Sequence, residues 1–137
     1  MKKLEGSIDV SLINETFFPE YEDASVINMG ECFAWAYISY CLYRNVELWD
    51  FSAHAFVKDK ATGRFYDSET YAGTFHWWQL PATNSGMGCG CTDCKVSAKK
   101  VRTAGQFRRY WSAMQRQYNI DYYVLHNQIE RVIGENS

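Results

Sequence analysis

Between Glu31 and Tyr43 the chain reads Glu-Cys-Phe-Ala-Trp-Ala-Tyr-Ile-Ser-Tyr-Cys-Leu-Tyr, with apolar side chains on nearly every side of a helical wheel. A helix without a polar face belongs in the middle of a structure, with the rest of the chain wrapped around it. Glu31 in the first turn suits the positive end of the helix dipole, and Arg44-Asn45 is a plausible exit. The 137 residues fit one domain spanning 1–137, and aromatic residues at 17% supply large side chains for a two-layer core.

The flanking segments are shorter. A helix or turn is expected from Ser11 to Phe18, capped by Ser11 and ended by Pro19, and residues 20–31 read as loop. Residues 46–52 read as a connection. Ala53–Lys58 reads as a strand and Arg64–Asp67 as its partner, with the Asp59–Gly63 loop suiting a hairpin. Thr74–Leu80 suits a short helix stopped by Pro81. A cysteine-rich loop follows over residues 82–95. Thr103 then caps a helix from Ala104 to Tyr118, and Asp121–His126 reads as a strand. Asn127–Ile133 fits either a continued strand or a terminal helix. The class is α+β.

This layout sets Cys32 at the start of the central helix, His54 at the start of a strand and Asp67 on the next strand. A thiol nucleophile needs a base and a group to orient that base, and the three residues occur in that order. A helix N-terminus and a neighbouring imidazolium both stabilise a thiolate. The first-turn amides, which precede the helical ladder, point to where an oxyanion would form. Gly30, two residues earlier, leaves room for substrate beside the sulfur. If Lys58 faces Phe65 across the hairpin, His54 and Asp67 become diagonal neighbours on one face, with Glu69 as the alternative orienter. A one-residue slip would move Asp67 to the other face. His76, beside Trp77-Trp78, and His126 compete for the base role, and His76 and Trp77 are candidates to line a substrate cleft. Cys41 reads as a core thiol.

The stretches Gly30-Glu31-Cys32-Phe33, His54-Ala55-Phe56-Val57 and Phe65-Tyr66-Asp67-Ser68 resemble the papain-like superfamily of cysteine hydrolases and acyltransferases, over about residues 28–70. The shortness of the core is most similar to the minimal transglutaminase-like and cell-wall-amidase-like branches. The resemblance implies a nucleophile-bearing helix packed on an antiparallel sheet that delivers the histidine and then the acid from adjacent strands. It also implies cleavage or exchange of an amide, isopeptide or thioester bond in a protein or peptide substrate, without a cofactor. No glutamine stands at the superfamily's upstream oxyanion position, and Asn28 is the candidate in its place.

Other features point elsewhere. Five cysteines cannot all pair within the chain, and no export signal is visible, so reduced thiols and a cytoplasmic setting are expected. No apolar run reaches the length of a membrane span. Cys89, Cys91 and Cys94 are close enough to hold a structural zinc with a fourth ligand such as His76 or Asp93. With a net charge of only −2, no bulk charge argues for nucleic acid or membrane, and nucleic acid is not the expected partner. Even so, Lys95, Lys99, Lys100, Arg102, Arg108, Arg109 and Arg116 are interleaved with Phe107, Tyr110 and Trp111. The alternative to an enzyme is therefore a binding module that uses this basic aromatic face and the cysteine-rich loop.

Overall fold

The computed structural model describes residues 2–51, 54–84, 99–100, 112 and 122–137. The central helix, α3, spans Cys32–Leu42, and all but two of its residues, Phe33 and Tyr40, are buried. Two short helices lead into it. In α1 (Val10–Phe17), Val10, Ile13 and Phe17 share the buried face, and the cap is Asp9, whose Oδ1 accepts the Leu12 N–H at 3.1 Å. The expected Ser11 cap thus lies inside the helix. The second, α2 (Ala24–Gly30), replaces the expected loop. Its cap is Asp23, which accepts the Ser25 N–H at 2.9 Å. A helix of two turns shows too little periodicity to be told from a polar loop, and only the capping aspartate marked it.

Three antiparallel strands form the sheet: β1 (Val46–Phe51), β2 (His54–Asp59) and β3 (Phe65–Tyr66), in the order β3-β2-β1. A two-residue strand, β4 (Lys99–Lys100), pairs with Trp49 and Asp50 on the outer edge of β1. β1 occupies the expected connection, so β2 is an interior strand. Lys58 pairs with Phe65 and Val57 with Tyr66, the register that brings His54 and Asp67 together. The intervening turn uses Gly63 at φ 76°, where a side chain would be strained.

Residues on the two sides of the sheet enter two clusters. Leu48, Ala55, Val57 and Tyr66 join α3 in the main core. Phe56, Phe65, Trp77 and Leu80 form a second cluster, with Trp49 and Trp78 packed against it. Trp77 belongs to a single 3₁₀ turn, Trp77–Gln79, which takes the place of the expected Thr74–Leu80 helix and precedes α4 (Pro81–Asn84).

The chain ends in α5 (Tyr122–Asn136), where a strand was expected up to His126. Leu125, Ile129, Val132 and Ile133 are buried against the α3 core at helical spacing, which outweighs the strand preference of Tyr122-Tyr123-Val124. Among the described residues no helix is long and apolar enough to cross a membrane. The helix expected at Ala104–Tyr118 and the candidate ligands Cys89, Cys91 and Cys94 lie outside the described residues.

Candidate functional site

Glu31 is the corner on which the site is built. Its N–H closes α2 on the Ile27 carbonyl at 2.8 Å, and its carbonyl opens α3 by accepting the Trp35 N–H at 2.9 Å. Tyr21 Oη donates to its carboxylate at 2.9 Å. Cys32 is therefore the first residue of α3, and the amides of residues 32–34 precede the first intrahelical bond. Cys32 is buried, at 5% exposure, and among the described residues neither it nor Cys41 is in a disulfide.

His54 and Asp67 form a fully buried pair, with Nε2 and Oδ2 3.2 Å apart. The imidazole also stacks on Phe56, with centroids 5.8 Å apart. Its other nitrogen, Nδ1, is buried and has no hydrogen bond of ordinary geometry among the described residues. Among the described residues, Cys32 also acts on the ring. Burial alone would lower the His54 pKa. Hydrogen bonds to Asp67 and Cys32, with the charges of both, outweigh it and raise the pKa to about 9. Burial would likewise raise the Asp67 pKa, but the His54 hydrogen bond and charge, with Thr70 and the Glu69 amide, hold it below the ordinary carboxylate value.

These shifts define a pH window. The folded-state pKa of His54 lies above 6.5, so its contribution to stability is whole below pH 6.5 and is lost as pH rises through about 9. That of Asp67 is depressed, so its contribution is whole above 3.8 and is lost as pH falls below that. Thermal unfolding should show the wild type losing part of its margin over Asp67→Ala between pH 6.5 and 9. A margin constant across that interval would mean that the pair carries no charge.

The turn that carries Asp67 is fastened on three sides. Ser68 Oγ donates to the Ala24 carbonyl of α2 at 2.7 Å. The Ser68 carbonyl accepts from Asn14 Nδ2 of α1 at 3.0 Å, while Asn14 Oδ1 accepts from Trp35 Nε1 of α3 at 2.8 Å. Asn28 Nδ2 donates to Glu69 Oε1 at 3.0 Å. The acid is thereby held against both helices that meet at Glu31. Asn14 and Thr70 have no place among the sequence expectations, and Trp35 and Ser68 enter them only as members of the central apolar run and of the Asp67 stretch. The signal that could have found the turn is Asp67-x-Glu69-Thr70, an aspartate able to accept from the backbone two residues on.

The other candidates fall as follows. Asp67, not Glu69, takes the histidine, because the Glu69 carboxylate is turned toward Asn28. Asn28 is buried with one amide proton committed to Glu69, and its Oδ1 has no partner among the described residues. Gly30 ends α2, and a Cβ added there would meet nothing within 4 Å, so the approach beside Cys32 is open at that point. Trp77 is buried and stacks on Phe56 at 6.2 Å, supporting the histidine from behind. His76 is exposed and lies flat on Trp78 at 4.4 Å. His126 sits on α5 with Nε2 2.9 Å from Tyr37 Oη, joining α5 to α3, and burial lowers its pKa while Glu130 opposes that. Cys41 is buried deeper in α3, and burial raises its pKa.

The arrangement can move a proton between a thiol and an imidazole whose far nitrogen is held by a carboxylate. No protein-family model, curated protein or solved structure matches the chain.

Proposed function

We propose that the chain is a papain-like cysteine hydrolase or acyltransferase that opens an amide, isopeptide or thioester bond in a protein or peptide substrate. The observation that carries this reading is a histidine with one ring nitrogen on a buried aspartate and a helix-terminal cysteine acting on the same ring. His54 already holds the Cys32 proton as an imidazolium, and the Cys32 thiolate bonds through Sγ to the substrate carbonyl carbon. The oxyanion forms against the amides at the start of α3. On collapse the C–N or C–S bond breaks, the leaving group takes the proton back from His54, and a thioester remains on Cys32. Water or a second amine then attacks that thioester, with His54 again as base. Asp67 keeps Nε2 occupied, so that Nδ1 is the nitrogen left to serve the sulfur. No step uses a cofactor. A zinc on Cys89, Cys91 and Cys94 would be structural.

The test is competitive alkylation. Limiting iodoacetamide at pH 6, followed by peptide mapping, should mark Cys32 ahead of Cys41, Cys89, Cys91 and Cys94, because in this reading Cys32 has an imidazolium partner. Preferential labelling in the 89–94 cluster would remove Cys32 as the nucleophile and favour the binding-module alternative.

A further inference from the structure

The Asp67 carboxylate has two inequivalent oxygens. Oδ2 faces His54 Nε2 at 3.2 Å, whereas Oδ1 accepts both the Thr70 hydroxyl at 2.8 Å and the Glu69 N–H at 3.0 Å. With the carboxyl group 1% exposed, water cannot substitute for a missing donor. Three donors from three directions define the plane of a carboxylate, whereas two leave it free to rock. We propose that Thr70 is a positioning residue for the proposed reaction: its hydroxyl fixes the Asp67 plane and keeps the Oδ2 edge on His54.

The turn does not need that hydroxyl in order to form. Its backbone is closed by the Thr70 N–H to the Asp67 carbonyl at 3.2 Å, and it is anchored through both Ser68 Oγ and the Ser68 carbonyl. Losing the hydroxyl therefore acts on the carboxylate and leaves the chain path in place. Among the described residues, the groups that act on His54 are Cys32 from α3, Asp67 from the turn and Phe56 from its own strand, so a loosened Asp67 is read directly in the imidazole.

The role rests on the proposed thiol chemistry only for its effect on activity, so the test reads the histidine first. With ¹³C-labelled histidine, the ring signals of His54, His76 and His126 are followed by NMR against pH, assigned by substituting His76 and His126. Thr70→Val, which keeps the shape and removes the hydroxyl, should lower the His54 midpoint by about one unit. Thr70→Ser should restore it, and His76 and His126 should not move in either variant. A general loss of packing would lower the melting temperature without this selective shift or its rescue. An unchanged His54 midpoint in folded Thr70→Val overturns the proposal, and Thr70→Ala gives the same comparison if the valine variant does not fold. The selective shift in a protein whose Cys32 is unreactive would retire the hydrolase reading and leave the link from Thr70 to His54 standing.

Discussion

Replacing His54 with alanine should slow acylation of Cys32 by about 10³-fold, within the range of a lost general base. The loss should approach that of Cys32→Ala, because residues that act as one unit do not lose activity additively. Burst kinetics with a p-nitrophenyl ester, together with the mass of the acylated protein, give the rate without knowledge of the natural substrate. The alanine variant carries a second defect. It strips the ring from a carboxylate that is 1% exposed, leaving Asp67 with only Thr70 and the Glu69 amide as donors. Breaking a buried pair in this way costs about 3–5 kcal/mol. His54→Gln separates the two effects, since an amide N–H can still donate to Asp67 while nothing replaces the base. The glutamine variant should be the more stable of the two and equally inactive. A folded His54→Gln protein with unchanged acylation would remove His54 from the reaction, and His76 or His126 would then be the bases to test.

The parts of this site that were legible in the sequence are those set by local rules. An apolar run with no polar face can only be a central helix, and α3 is that helix. Phe56, Val57, Phe65 and Tyr66 around a Gly63 turn specify a hairpin, and the assumed pairing of Lys58 with Phe65 is the one observed. The segments misjudged are those whose conformation comes from packing. Val46–Phe51 mixes Glu47 and Asp50 into an apolar strand and gains its place by pairing with β2. Tyr122-Tyr123-Val124 has strand-forming residues but is drawn into α5 by Leu125, Ile129, Val132 and Ile133 against α3. The frame behind Asp67 is still further from local reading. Asn14 meets Ser68 across 54 residues of chain and Trp35 across 21, each through a single hydrogen bond that no periodicity records.

That frame bears on Asp67→Asn, which papain-like enzymes, many of which carry asparagine at this position, would suggest is mild. The donors around this carboxylate argue the reverse. His54 Nε2–H, the Glu69 N–H and the Thr70 hydroxyl all require an acceptor, and an amide offers one oxygen in place of two. With the amide oxygen at the Oδ1 position, where it keeps two donors, the NH₂ group faces Nε2. Nε2 must then give up its proton, and the neutral ring carries its hydrogen on Nδ1. In that tautomer His54 can donate toward Cys32 but cannot accept its proton. Turning the amide over sets its NH₂ against the Glu69 N–H in a buried site, at about 1–3 kcal/mol. The first orientation should therefore prevail, and acylation should fall by about 10³- to 10⁴-fold, the scale of a wrong-tautomer histidine. Loss of the Asp67 charge adds to this by letting the His54 pKa drop from about 9. Asp67→Ala imposes no tautomer, so it should be no worse than Asn. Burst kinetics on the three proteins decide it. A folded Asp67→Asn protein within about threefold of the wild-type rate would show that the ring keeps its tautomer without the carboxylate, and Asp67 would then be reduced to a turn residue.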